Sequence, residues 1–119
     1  MGKIVVLGAS PKPARFSHKA IRGLLSKGYQ VIGIGNRPGN IDGLDIITEK
    51  VPVEDVDMVM LYINATVQRN YYDYILGLTP REILFNPGTE NTELARLASD
   101  HGIGIRYECA LVLLDAGML

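Results

Sequence analysis

Lys3-Ile4-Val5-Val6-Leu7-Gly8-Ala9-Ser10-Pro11-Lys12-Pro13-Ala14-Arg15-Phe16-Ser17 is the stretch that decides the fold. Its first five residues form a short apolar run rich in β-branched side chains, the pattern of a buried parallel strand. Gly8 closes that run. From Phe16 onward, Ile21, Leu24 and Leu25 recur at helical spacing, and Gly28 stands where a helix would end. Strand, glycine, polar turn and helix thus follow in the order that a phosphate-binding unit needs. Gly8 and the small Ala9 let a ligand approach the backbone, where free N–H groups suit an anion. Lys12 and Arg15 add positive charge, and Ser10 and Ser17 add hydroxyl donors. The plain alternative is a Gly/Pro-rich turn that carries two surface cations.

The alternation continues downstream. Gln30 to Ile34 reads as a second strand, closed by Gly35-Asn36. Between Asn40 and Asp57 a reduced crossover is expected, with a short strand at Ile46-Ile47 and, because of Pro52, no long helix. Met58 to Ile63 is the clearest central strand. Thr66 is placed to cap a helix with Val67, Tyr71, Tyr74, Ile75 and Leu78 on one face. Ile83-Leu84-Phe85 is another strand, and Leu94, Leu97, Ala98 and His101 mark a helix that Gly102 ends. Ile103 to Tyr107 closes the sheet, and Ala110 to Leu114 reads as a short last helix. The fold expected is α/β: a Rossmann-like three-layer arrangement, with a mainly parallel five-stranded sheet and helices on both faces. Residues 1–119 are expected to form a single domain.

Composition narrows the function classes. Hydrophobic residues make up 47% of the chain and charged residues 21%, enough apolar material for a buried sheet. Twelve Lys and Arg against 13 Asp and Glu leave a net charge of −1 with no basic pole, so neither nucleic acid nor a membrane is the expected partner. The single cysteine, Cys109, excludes an internal disulfide framework and a multi-cysteine zinc site. The amino-terminal run is too short for a signal peptide, and no stretch approaches the roughly 20 apolar residues of a membrane span. A cytoplasmic location is expected.

In open parallel sheets the ligand sits outside the carboxyl ends of the strands. Three further turns therefore matter. Asn64-Ala65-Thr66 offers small and polar groups beside the first turn, and Asn86-Pro87-Gly88-Thr89-Glu90-Asn91 opens a helix. In the latter, Gly88 permits backbone approach, while Thr89 and Asn91 fit a helix cap as well as a ligand contact. After the second strand stand Asn36 and Arg37. The dinucleotide fingerprint is absent: Ser10 and Pro13 stand where glycines would be needed, and no Asp or Glu follows the second strand. Arg37 could meet a ribose phosphate, which keeps an NADP ligand open. His18 is near the first turn and serves equally as ligand contact or structural residue, whereas His101 suits a structural role at a helix end. Cys109 fits a small buried residue. Tyr71, Tyr72 and Tyr74 read as a packing face, with self-association or a partner protein as the sharper alternative.

The run Ile4-Val5-Val6-Leu7-Gly8-Ala9-Ser10-Pro11, the strand entry Gly28-Tyr29-Gln30-Val31-Ile32, the segments Gly43-Leu44-Asp45-Ile46 and Val56-Asp57-Met58-Val59, the turn Asn86-Pro87-Gly88 and the closing Tyr107-Glu108-Cys109-Ala110-Leu111 share an order and spacing. Together they resemble the small stand-alone CoA-binding domain proteins, relatives of the CoA-binding domain of the succinyl-CoA synthetase α subunit. That resemblance implies a Rossmann-like site for CoA or an acyl-CoA without catalytic apparatus. It implies that Gly8, Ala9, Ser10, Lys12, Arg15 and Ser17 hold the CoA phosphates. Asn36 and Arg37 would then lie near the adenosine end, and Asn64, Thr66, Asn86, Pro87 and Gly88 would line the rest of the groove. A small NADP-binding oxidoreductase, or a subunit of one, remains an alternative reading, and so does an interaction module with a vestigial nucleotide site.

Overall fold

A computed structural model describes residues 2–119. Its main sheet has five strands: β1 (Lys3–Leu7), β2 (Gln30–Ile34), β5 (Met58–Leu61), β6 (Glu82–Phe85) and β7 (Gly104–Tyr107). They are all parallel and lie in the order β2-β1-β5-β6-β7. The chain steps outward from β1 to β2, then crosses back to β5 on the other side of β1. The strand order therefore reverses between β1 and β5, and their carboxyl ends flank the crevice where such sheets receive ligands.

Side chains alternate between the two faces, as the pleat requires. Ile4, Val6, Met58, Met60 and Leu84 pack against α1 (Phe16–Ser26) and α5 (Ala110–Asp115). Val5, Leu7, Val59, Leu61, Ile83 and Phe85 pack against α3 (Tyr72–Leu78) and α4 (Thr92–Asp100). Burial on both faces is why these strands read as continuous apolar runs. The α/β class, the five-stranded parallel sheet and the helices on both sides are those expected. Among the described residues, no helix is long and apolar enough to cross a membrane.

Two segments differ from expectation. Between Asn40 and Asp57 the chain makes a hairpin of β3 (Asn40–Ile41) and β4 (Leu44–Asp45), where no hairpin was foreseen. Its turn residues Asp42 and Gly43 both have positive φ, 49° and 93°, the backbone that two-residue hairpins favour. The expected strand at Ile46-Ile47 shrinks to a single parallel bridge from Ile47 to Ile34. Hydrophobic contact adds to the turn in holding the hairpin: Ile41 and Ile46 are buried with the α1 face.

The expected helix after β5 is three pieces: α2 (Ala65–Gln68), a 3₁₀ turn (Arg69–Tyr71) and α3. Asn64, not Thr66, caps it, its Oδ1 accepting the Val67 N–H at 2.9 Å. Of the apolar face expected there, Ile75 and Leu78 are buried while Val67 is exposed. The break re-aims the first segment so that it borders the cleft instead of the core.

Candidate functional site

The cleft over the carboxyl ends of β1 and β5 has a volume of about 570 Å³, within the roughly 300–1,000 Å³ usual for small-ligand sites. Its floor is the turn after β1. The Gly8 and Ala9 N–H groups both donate to the Ile34 carbonyl, at 2.9 and 3.0 Å, and tie this turn to β2, so the free donors expected at these two residues are already spent. Gly8 has φ +99°, and a Cβ there would lie 3.0 Å from the Tyr62 backbone. At Gly35 a Cβ would meet the Ala9 carbonyl oxygen at 2.0 Å. The two turns touch backbone to backbone, which only glycine permits. Gly8→Ala is expected to cost about 2 kcal/mol, from the left-handed backbone and the tight contact together. Urea unfolding measures it; a loss below about 0.5 kcal/mol would show that the turn relaxes freely.

Arg15 occupies the N-cap position of α1 but offers no side-chain cap, and no acidic residue lies in the helix's first turn. By contrast, Asn64 caps α2, and Asn91 caps α4 by accepting the Glu93 and Leu94 N–H groups at 3.1 and 3.2 Å. The opening of α1 thus faces the cleft with backbone donors and the positive end of its dipole uncompensated. Among the described residues, Lys12, Arg15 and Arg37 line the cleft, no carboxylate does, and none of the three cations is in an ion pair. The cleft is thus lined by positive charge in a chain whose net charge is −1.

Eleven of the thirteen expected contact residues border this cleft. From the first turn come Gly8, Ala9, Ser10, Lys12, Arg15 and Ser17, from the second Asn36 and Arg37, from the third Asn64, and from the fourth Pro87 and Gly88. Thr66 is exposed on α2 and lies outside it. Asn86 also lies outside: 2% exposed, it donates to the Leu61 carbonyl at 3.0 Å and accepts the Ala110 N–H at 2.8 Å. It braces three elements behind the cleft. Thr89, which the sequence left between cap and contact, lines the cleft by position while its hydroxyl donates to the Asn86 carbonyl at 2.7 Å.

Sequence reasoning missed the apolar border. Phe16, Tyr62, Ile63, Val67 and Tyr71 all line the cleft. Phe16 and Val67 are 66% and 37% exposed and give the cleft an open apolar border. Their signal was their place one or two residues beyond a strand end or at a helix start. Burial pushes the Tyr62 phenol well above its ordinary pKa, with Cys109 nearby adding to the effect. Among the described residues, its hydroxyl is buried without a hydrogen-bond partner.

His18 settles as a brace. It is 6% exposed, and its Nδ1 lies 3.0 Å from the Ser10 carbonyl oxygen, holding the first turn against α1. His101 is exposed after α4, Nδ1 at 2.8 Å from the Leu97 carbonyl. Tyr72 and Tyr74 spend their hydroxyls within the chain, on Glu93 at 2.9 Å and the Val51 carbonyl at 2.5 Å. Cys109 is half-buried at the N-cap position of α5.

A parallel sheet of this order, with a cleft at its reversal point, defines an α/β domain of the Rossmann-like kind. The chain belongs to the CoA-binding domain family, whose model matches residues 2–115. A crystal structure of an uncharacterized protein shares 43% identity over 100% of this chain and 98% of that one, with a TM-score of 0.96. A conserved hypothetical protein from Pyrococcus furiosus shares 25% identity over 94% of this chain and 98% of its own, TM-score 0.81. A Thermus thermophilus protein, 21% identical over 99% of this chain and 90% of its own, has the same fold at TM-score 0.83.

Proposed function

We propose that this protein binds CoA or an acyl-CoA without transforming it, as a carrier or a sensor. The observation that carries the reading is the cleft's charge: three unpaired cations and an uncapped helix start, with no carboxylate among the described lining residues. A pyrophosphate with a phosphorylated ribose answers that donor set. Lys12, Arg15, Ser10, Ser17 and the backbone opening of α1 take the pyrophosphate, and Arg37 with Asn36 takes the ribose phosphate. Bound CoA would supply a thiol, or its thioester, at the apolar end. There Ile63, Val67 and Tyr71 lie beside Pro87, and an acyl group would cover the exposed side chains. The side chains that border the cleft bind and orient.

Arg37 favours one second reading, NADP, because a ribose phosphate is common to both ligands. Isothermal titration with CoA, NADP and NAD separates them. CoA is expected to bind one per chain and, at about a hundred times its Kd, to add roughly 2.7 kcal/mol of stability, read as a melting shift. NADP binding without CoA binding would replace the proposal with the oxidoreductase reading. Binding of none would leave the interaction module.

A further inference from the structure

The turn after β5 and the turn after β6 form the two sides of the cleft's apolar end, and one buried amide joins them. Gln68 is 0% exposed. Its Nε2 donates to the Ile63 carbonyl and to the Thr89 carbonyl, both at 2.8 Å, so a single NH₂ group spans the two turns. Its Oε1 accepts from Asn91 Nδ2 at 2.9 Å. The same Asn91 amide donates to the Tyr72 hydroxyl at 2.8 Å, and its Oδ1 caps α4. Every donor of the Gln68 amide is used.

A fully buried amide costs desolvation that an apolar side chain of the same size would avoid, and its net return in stability is small. What it returns here is geometry. Two hydrogen bonds from one planar group fix the distance between the Ile63 and Thr89 carbonyls, and both residues line the cleft. The cationic first turn has its own ties, to β2 and to His18, and does not depend on this amide.

We infer that Gln68 is a positioning residue that sets the width of the cleft's apolar end, and so selects for the pantetheine arm while leaving recognition of the phosphates alone. The inference rests on the CoA reading. Its test compares CoA with adenosine 3′,5′-bisphosphate, which lacks that arm, on wild-type protein and on Gln68→Met, a substitution of similar volume. The variant is expected to lose about tenfold in CoA affinity, the worth of one or two ordered contacts. Affinity for the bisphosphate should stay within about twofold, since its contacts lie at the other end. Equal losses for both ligands, or no loss for either, would overturn the inference and leave the CoA reading standing. Failure of the wild-type protein to bind CoA would remove both. Asn91→Ser provides the second arm if Gln68→Met does not fold. Serine still caps α4 but no longer holds the Gln68 amide, and the same split between ligands is expected.

Discussion

Arg15→Glu should abolish measurable CoA binding at concentrations that saturate the wild type, a loss of about a hundredfold or more, while the protein melts no lower. Three effects add on the binding side. A charge-assisted hydrogen bond to phosphate is worth about 1.5–3 kcal/mol and disappears with the guanidinium. A carboxylate then faces the ligand's own negative charge. It also sits at the N-cap of α1, where it can accept the N–H groups that the phosphate would use. The stability side has the opposite sign. The first turn of α1 carries no acidic residue, so a carboxylate at its start complements the dipole by about 0.3–1 kcal/mol. Titration calorimetry and thermal melting on the same preparation read both. Unchanged affinity would refute the placement of the phosphates at this turn. A lost ligand together with a lower melting point would make Arg15 a structural residue.

Part of the fold and of the candidate site is legible in the sequence. In the first turn the fold itself demands the residue that marks it: Gly8 must be a glycine for the backbone to pass Tyr62. A buried parallel strand also announces itself, because Val5 and Val6 must both be apolar when each faces a different core. The hairpin at Asn40–Asp45 was less visible, since two-residue strands carry no period. Asp42-Gly43 was its one signal and could have found it. The break of the helix after β5 was not legible. Tyr71 and Val67 fall on the helical stripe, and only the packing of Gln68 between two turns shows that the stripe is not one helix. Asn86 marks the limit of family resemblance. A polar residue at a strand's carboxyl end looks the same in sequence whether its side chain turns toward the cleft or away from it.

In this chain Asn86 turns away, and the consequence is a stability effect. Asn86→Ala is expected to destabilise the fold by about 3 kcal/mol, because two buried backbone groups lose their partners at once. The Ala110 N–H is the first donor of α5, and no residue of that helix can accept it. The Leu61 carbonyl ends β5, where the next strand no longer provides a donor. Asn86→Asp should be no milder. It keeps an acceptor for Ala110 but turns a carboxylate oxygen toward the Leu61 carbonyl in a place almost closed to water. The side chain could remain folded out of the core only if β6 and α5 separated, and α5 packs directly on α1 and its neighbours. Urea unfolding of both variants measures the effect. A loss under 1 kcal/mol for Asn86→Ala would mean that water replaces the amide, and that this end of the sheet is open. At a temperature where the variant is folded, CoA affinity is expected to fall by less than about tenfold, well short of the Arg15→Glu loss. A larger fall would put the Asn86 amide back among the groups that meet the ligand.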